Sequence, residues 1–191
     1  TVAGDAPAVN VAVLSADDSA SSTVTVNEPA SFDVTVTSID SAVTAGETIT
    51  VAYEVTNTGD QQDTQDITFA VNGTTEDTES GVTLNGSETF SGQFSYATGA
   101  GDAPAVSVAV SSADDSATQT VTVNEPASFD VTLTSVDSAV TEGETITVAY
   151  EVTNTGDQQD TQDITFAVNG TTEDTESGVT LNGSETFSGQ F

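Results

Sequence analysis

The sequence has no lysine, arginine or histidine, while 31 of its 191 residues are aspartate or glutamate, which gives a formal net charge of −31. Because no side chain is cationic, no ion pair between side chains can offset the repulsion among the carboxylates, and that repulsion opposes a compact state. At about 1 M salt the Debye length falls to roughly 3 Å, so the repulsion is screened almost to contact. The composition therefore predicts a protein of a salt-loving microbe.

The missing residue types also exclude several classes of function. Without cysteine there is no disulfide and no thiolate nucleophile, and without histidine the usual general base and transition-metal ligand is lacking. Without lysine or arginine, phosphate groups have no cationic partner, which argues against nucleic-acid binding. No apolar run reaches the ~18 residues of a membrane span, so we predict that this segment does not span a membrane.

Catalysis by a pair of carboxylates, as in glycosidases, is formally possible with so many aspartates and glutamates. Nothing in the sequence marks two acidic residues as buried partners, and an active site duplicated letter for letter would be unusual. We therefore predict that the chain is not an enzyme and that it requires no cofactor.

An internal repeat organises the chain, because residues 1–94 align with residues 98–191 without a gap. Residues 46–94 and 143–191 are identical. The aligned copies differ at eight positions, which are Val2/Gly99, Asn10/Ser107, Leu14/Ser111, Ser21/Thr118, Ser22/Gln119, Val36/Leu133, Ile39/Val136 and Ala45/Glu142. Near-identity at a fixed period indicates a tandem array of one structural unit.

Within one repeat the apolar residues alternate with polar ones. In "FDVTVT", Phe32, Val34 and Val36 share one face, and the same alternation recurs in "TITVAYEVT", "DITFAV", "GVTL", "ETFSGQFSY", "AVSVAV" and "TQTVTV". A period of two is typical of half-buried strands. We predict an all-β fold of tandem immunoglobulin-like antiparallel β-sandwiches with about seven strands each.

Polar segments separate these predicted strands. The pairs Asn72-Gly73 and Asn85-Gly86 have the composition preferred in tight hairpin turns. The acidic segment "TTEDTES" (residues 74–80) is predicted to be an edge strand or a loop, whose charges deter pairing with another sheet.

A family resemblance is carried by "SFDVTVTSIDSAVTAGETITVAYEVTNTGDQQDTQDITFAVNG" followed by "VTLNGSETFSGQFSY". These segments resemble the CARDB-type domains of prokaryotic, here haloarchaeal, cell-surface proteins, in which an "AGE" turn and a "VTNTG" strand end recur in this order. The resemblance implies an immunoglobulin-like domain at residues 30–124. It further implies that residues 1–27 are the last two strands of a preceding or partner-completed sandwich. Residues 128–191 would then be the first five strands of the next one.

The two incomplete pieces would together make one sandwich, so we expect both to be completed. Either the covalent chain continues, or a neighbouring copy donates strands. We favour covalent continuation, because strand donation normally leaves a less uniform sequence. The short linker "NEPAS", in which Pro126 fixes one φ angle, predicts a fixed relation between successive domains.

Several loops carry oxygen ligands of the kind that Ca²⁺ prefers. Asp60, Asp63 and Asp66 lie in one loop, Asp114 and Asp115 lie in another, and Glu125 near the junction is the best additional ligand. The loop containing Asp17 and Asp18 repeats the second arrangement. These residues form a candidate Ca²⁺ site, and the alternative is that they are solvated loops holding monovalent cations loosely.

Four asparagines lie in sequons for N-glycosylation, namely Asn72, Asn85, Asn169 and Asn182. Turn chemistry alone also accounts for each Asn-Gly pair. We predict modification, which an intact-mass measurement would test.

Near-identical domains, short linkers and the lack of reactive side chains favour a structural role. We predict an extracellular filament, stalk or fibre at the cell surface, built from identical repeats or copies placed end to end. The alternative is the repeat region of a surface adhesin that binds carbohydrate or another cell. A fibre requires a self-complementary end-to-end contact, whereas an adhesin requires a distinct tip domain.

Overall fold

A computed structural model of the chain describes residues 7–191, so the start of the predicted segment 1–27 lies outside the described residues. Apart from one 3₁₀ turn at Ala100–Asp102, the regular elements in this range are all strands. They are β1 (Ala8–Leu14), β2 (Ser19–Thr25), β3 (Phe32–Ile39), β4 (Ala42–Thr44), β5 (Thr48–Asn57), β6 (Asp63–Val71), β7 (Thr74–Leu84), β8 (Thr89–Ala97), β9 (Ala105–Ser111), β10 (Ser116–Asn124), β11 (Phe129–Val136), β12 (Val148–Asn154), β13 (Asp160–Val168), β14 (Thr171–Leu181) and β15 (Thr186–Gln190). The all-β prediction is confirmed.

The strands form five sheets. β1 and β2 make a separate hairpin, β3, β5 and β8 make a three-stranded sheet, and a five-stranded sheet has the order β4-β10-β9-β6-β7. Further along the chain, β11, β12 and β15 form one sheet, and β13 and β14 form another. Only the short contact between β4 and β10 is described as parallel, and the other described strand pairs are antiparallel.

The described residues fall into two compact units. The first unit contains residues up to 41, residues 48–97 and residues 106–121. The second unit contains residues 42–47, 98–105 and 122–191. These units do not coincide with the domain boundaries implied by the family resemblance, so those boundaries stay a prediction.

The core of the first unit lies between two sheets. Every second residue of β5 is buried, because alternate side chains of a strand point to opposite faces. Tyr53 of β5 stacks on Phe94 of β8 with ring centroids 4.8 Å apart, and Phe94 stacks on Phe69 of β6 at 5.2 Å. This stack joins the sheet β3-β5-β8 to the strand β6 of the facing sheet.

The second unit contains strands with the same pairing registers. β11 pairs with β12, and β12 pairs with β15, in the registers that β3, β5 and β8 adopt. Tyr150 stacks on Phe191 at 4.8 Å, and Phe191 stacks on Phe166 at 5.5 Å. The aromatic stack is therefore formed in this unit as well.

The two Asn-Gly pairs adopt different turns. Asn72 and Gly73 have positive φ angles of 50° and 82° and connect β6 to β7, as a two-residue hairpin turn requires. The hairpin prediction for Asn85 and Gly86 is wrong, because they lie in a connection between β7 and β8, which are not paired with each other. There the positive φ angle falls on Ser87, at 63°.

One further detail confirms the strand prediction, and another differs from it. The segment "TTEDTES" forms the first part of β7, which lies at the edge of its sheet. Residues 32–124 contain eight strands, and the additional one is the three-residue β4. In the part of the chain that the structure describes, no helix has the length and hydropathy needed to cross a bilayer.

Candidate functional site

The prediction that Asp60, Asp63 and Asp66 lie in one loop is wrong, because Asp63 and Asp66 belong to β6 and only Asp60 precedes that strand. Their carboxylates accept from separate hydrogen-bond donors. Asp60 accepts from the backbone N–H of Glu28 at 2.9 Å, and Asp66 accepts from the backbone N–H of Gly81 at 2.8 Å. Asp63 accepts from the side-chain amide of Gln65 at 3.0 Å. Among residues 7–191, no three carboxylates gather in a geometry that would hold a metal ion. The Ca²⁺ site stays a prediction.

Asp114 and Asp115, in the turn between β9 and β10, bind the edge of β3. The Asp114 carboxylate accepts from the backbone N–H of Phe32 at 3.0 Å, and Asp115 accepts from that of Val34 at 2.9 Å. Asp114 also accepts from the Gln65 amide at 2.7 Å. These four backbone and carboxylate groups are called the aspartate clasp below.

Hydrogen bonds lower the pKa of both carboxyl groups of the clasp. For Asp114 the largest cause is the bond from Gln65, followed by the bond from the Phe32 backbone. For Asp115 the bond from the Val34 backbone lowers the pKa most. Hydrogen bonds to the charged form favour ionisation, so both carboxylates stay ionised to a lower pH than an ordinary aspartate does.

The last predicted ligand, Glu125, lies in the linker before β11. Its backbone N–H donates to the Asp157 carboxylate at 2.8 Å. The same arrangement joins Glu28 to Asp60 in the first unit. Each linker is therefore held by a loop that follows it in sequence within the same unit.

All four sequon asparagines are exposed. The Asn72 Oδ1 accepts from the backbone N–H of Ser107 at 2.9 Å. This bond uses the amide oxygen and does not involve the amide nitrogen, the atom to which a glycan would be attached. The amide nitrogens of Asn85 and Asn182 each donate to a glutamate carboxylate at 2.9 Å. Exposure is a condition of glycosylation, and modification at these positions remains a prediction.

A buried asparagine that the sequence analysis did not single out ends each "TITVAYEVTN" strand. Asn57 is fully buried, its Oδ1 accepts from the backbone N–H of Ser31 at 3.2 Å and of Gly59 at 3.1 Å, and its Nδ2 donates to the Gln61 carbonyl at 2.7 Å. Asn154 makes the equivalent bonds. Its position two residues after a run of inward-facing apolar residues was the signal that could have revealed it.

An apolar groove lies in the second unit. Its cavity volume is about 530 Å³, and the lining includes Val131, Leu133, Val136, Ile146, Phe166 and Val168. Val131 is 53% exposed and Leu133 is 63% exposed. This groove is called the open groove below.

The equivalent region of the first unit is filled. β9 lies between β6 and β10 in the five-stranded sheet, and Phe69 of β6 is opposite Val110 of β9. The inward-facing side chains Val106, Val108 and Val110 of β9 and Val121 of β10 are fully buried. Two strands therefore supply the apolar residues that the open groove lacks.

The β1–β2 hairpin has apolar residues at the positions that are buried in β9 and β10, but no facing sheet covers them among the described residues. Among the strands of residues 7–191, β1 and β2 pair only with each other, from Ala8 opposite Thr25 to Leu14 opposite Ser19. Val11 and Val24 are about half exposed, and Val13 is 75% exposed. β1 and β2 begin 97 residues before β9 and β10, since Ala8 aligns with Ala105 and Ser19 with Ser116. This hairpin is called the free hairpin below.

Comparison with known proteins adds little to these observations. No protein-family profile and no curated protein sequence matches the chain. Among the matching solved structures is a β-glucosidase from Listeria innocua in complex with glucose, with a TM-score of 0.43 and 16% sequence identity. The match covers 49% of this chain and 16% of that chain, and no conclusion about function follows from a likeness of this extent.

Proposed function

We propose that this protein is structural and forms an extracellular filament, stalk or fibre in a high-salt environment. The observation that carries the proposal is the presence of two complementary apolar surfaces, the open groove and the free hairpin. Each is unfilled here, and each has a filled counterpart in the first unit. A surface that fits a different surface of the same molecule generates chains of copies.

The chemistry of the surfaces supports a structural role over a catalytic one. The open groove is lined mainly by valine, isoleucine, leucine and phenylalanine, which bind by burial and carry out no reaction. Exposed apolar patches of this kind mark interaction sites in soluble proteins. The resemblance to CARDB-type domains fits a location at the cell surface.

The acidic composition sets the condition for assembly. A chain of charge −31 repels its copies at low ionic strength, and screening by concentrated salt removes most of that repulsion. Burial of apolar surface is strengthened by excluded salts such as sulfate. Assembly should therefore increase with salt concentration, whereas an interface held by ion pairs would weaken.

Electron microscopy of the protein in concentrated salt tests this proposal. We expect regular filaments with an axial repeat of one or two domains, and their dissociation on dilution into low-salt buffer. A monodisperse monomer in concentrated salt at every protein concentration would contradict the proposal.

A further inference from the structure

We infer that the free hairpin of one copy fills the open groove of a second copy of this chain, in the register that β9 and β10 adopt beside β6 and β4. This inference rests on the proposed end-to-end assembly and specifies its joint. It departs from the covalent continuation favoured from the sequence, because the differences between the repeats are concentrated in the residues that form these two surfaces. Residues 7–191 contain one free hairpin and one open groove, and in the proposed joint a copy donates through the first and accepts through the second. The result is a head-to-tail polymer.

The internal joint defines the register of the proposed one. In the first unit, β9 runs antiparallel to β6 with Phe69 opposite Val110 and Val71 opposite Val108. The repeat offset is 97 residues, so Val13 of the donor corresponds to Val110 and Phe166 of the acceptor corresponds to Phe69. The same register therefore places Val13 opposite Phe166. The outward-facing pair Ala70 and Ala109 likewise becomes Ala167 and Ala12.

This register buries the apolar residues that are exposed on both surfaces. On the donor, Val11 and Val13 correspond to Val108 and Val110, which are completely buried in the first unit. On the acceptor, Ile146 is 40% exposed, whereas its counterpart Ile49 is completely buried. Docking would bury Val11 and Val13 of the donor and Ile146 of the acceptor as completely as their counterparts are buried in the first unit.

The turn of the free hairpin is already shaped for a second aspartate clasp. In the internal joint, Ser112 Oγ accepts from the backbone N–H of Asp115 at 3.0 Å. In the free hairpin, Ser15 Oγ accepts from the backbone N–H of Asp18 at the same distance of 3.0 Å. The donor turn therefore has the internal conformation before it binds, and a preorganised segment loses little entropy on docking.

On docking, the second clasp would join the turn to the acceptor strand β11. Asp17 corresponds to Asp114, and Asp18 corresponds to Asp115. Their carboxylates would accept from the backbone N–H groups of Phe129 and Val131, as the internal pair accepts from Phe32 and Val34. Ionised acceptors make stronger hydrogen bonds than neutral ones.

The differences between the repeats are concentrated at this joint. Four of the eight positions lie in the free hairpin and three lie in β11 or the loop that follows it, while β12–β15 match β5–β8 throughout. In the groove, Leu133 replaces Val36 and Val136 replaces Ile39, so one methylene is added and one is removed. Volume-conserving exchanges preserve packing. The proposed joint is thus a variant of the internal one.

Disulfide trapping tests the register, because the chain contains no cysteine. The double variant Ala12→Cys with Ala167→Cys places the two thiols on opposed residues of the proposed joint. Under mild oxidation in concentrated salt, we expect a ladder of covalent multimers on a denaturing gel that a reducing agent collapses to the monomer band. Opposed strand residues lie within the Cα separation that a disulfide spans.

Two matched variants calibrate this experiment. Ala70→Cys with Ala109→Cys places thiols on the same pair in the internal joint, so it should form a disulfide within each chain and give no ladder. Ala20→Cys with Ala167→Cys uses the other strand of the hairpin, which the register places two strands away from β13. That pair is beyond disulfide reach and should give no ladder.

A charged substitution provides an independent measurement. Val13→Asp changes a residue that is exposed in the free hairpin, so the variant should fold and remain monomeric in concentrated salt at concentrations where the parent chain assembles. Sedimentation velocity measures the loss of multimers. Assembly of the variant at the parent's level would overturn the inference.

The outcomes separate this inference from the proposed function. Filaments that form without the Ala12–Ala167 cross-link would overturn the joint and leave the filament intact, whereas the absence of any assembly would overturn both. A disulfide confined to monomers would mean that a chain fills its own groove. Native material running far above 19.3 kDa on a denaturing gel would mean that the hairpin comes from the same polypeptide. Either result would overturn donation by a second copy.

Discussion

The first unit and the strands β11–β15 of the second unit have almost the same sequence but different burial. Val34 is 5% exposed in the first unit, and its counterpart Val131 is 53% exposed in the second. The difference arises because β9 and β10 cover the first core and no described strand covers the second. The burial of a residue therefore depends on which strands lie opposite it, even when its own strand and pairing register are unchanged.

Some contacts are the same in both units and therefore form whether or not strands such as β9 and β10 cover the core. The stack of Tyr53 on Phe94 and that of Tyr150 on Phe191 have the same centroid separation of 4.8 Å. Gly156 lies against the backbone of Pro126 as Gly59 lies against that of Pro29. These contacts belong to strands and linkers that both units contain.

The largest difference between the units is expected for the phenylalanine that faces the covering strands. Phe69→Ala should lower the free energy of unfolding by about 3–5 kcal/mol, because Phe69 is completely buried and its loss leaves a cavity. Phe166→Ala should cost roughly half as much or less in the unassembled chain, since Phe166 is only partly buried. Denaturant unfolding in concentrated salt measures both.

Assembly provides the control for this pair of variants. If the free hairpin of another copy covers Phe166, the two costs should converge under conditions where the protein polymerises. Equal costs in the dilute monomer would contradict the difference in burial.

A smaller and equal effect is expected for the buried asparagines. Asn57→Leu leaves the backbone N–H groups of Ser31 and Gly59 without their acceptor, at a cost of roughly 2–4 kcal/mol. Asn154→Leu should cost the same within error, because its partners all lie in the second unit and are present without docking. Equilibrium unfolding tests this, and a cost confined to one unit would show that linker attachment depends on the covering strands.

Alkaline titration distinguishes the two cores by their tyrosines. Burial, followed by repulsion from Glu79 and Asp77, raises the pKa of Tyr53 to about 12. Burial is also the largest cause that raises the pKa of Tyr150. Because both tyrosines must be neutral in the folded state, the stability they contribute is present below pH 10 and is lost as the pH rises through the folded pKa.

We expect the Tyr150 phenol to ionise before the Tyr53 phenol, since the second core is open. Tyrosinate absorbance measures this in single-tyrosine variants that combine Tyr96→Phe with either Tyr53→Phe or Tyr150→Phe. Assembly should move the ionisation of Tyr150 toward that of Tyr53. Ionisation of Tyr53 at the lower pH would reverse the comparison.

The smallest effect is expected for the aspartate clasp. The folded-state pKa of Asp115 is lowered, so its contribution is present above its ordinary pKa of 3.8 and is lost as the pH falls through the folded value. Asp115→Asn should therefore lower Tm at neutral pH, by an amount that shrinks below pH 3.8. Asp18→Asn should leave Tm of the monomer unchanged, because Asp18 bonds only to its own turn.

Measuring the difference between each variant and the parent chain removes a second effect of acid. Protonation of other carboxylates reduces the repulsion within a chain of charge −31 and is expected to stabilise the parent and the variants alike. A Tm difference for Asp115→Asn that is independent of pH would contradict an ionised clasp.

Much of the fold was predictable from the sequence, and the exceptions have local causes. The alternation of apolar and polar residues in "TITVAYEVT" predicted β5, because successive side chains of a strand point to opposite faces of the sheet. The hairpin expected at Asn85 was wrong, since turn composition does not reveal whether the flanking strands pair with each other. The three-residue β4 is too short for any period, and it is defined only by its contact with β10.

The candidate Ca²⁺ residues show the same limit at the level of a site. Their composition suited a hard cation, but composition does not show which donor each oxygen meets. In the folded chain Asp114 and Asp115 bind backbone N–H groups of β3, more than 80 residues away in sequence. Such a contact depends on the packing of β9 and β10 beside β6, which no short motif encodes.

The strand pattern, the charge and the repeat follow from the amino-acid sequence, because each depends on residue identity and on spacing along the chain. Which apolar groove is filled and which is open follows from the tertiary structure, because burial depends on strands brought together from distant positions. The family resemblance already implied two incomplete pieces, at residues 1–27 and 128–191. The register of the free hairpin in the open groove could be inferred only from the filled version in the same chain.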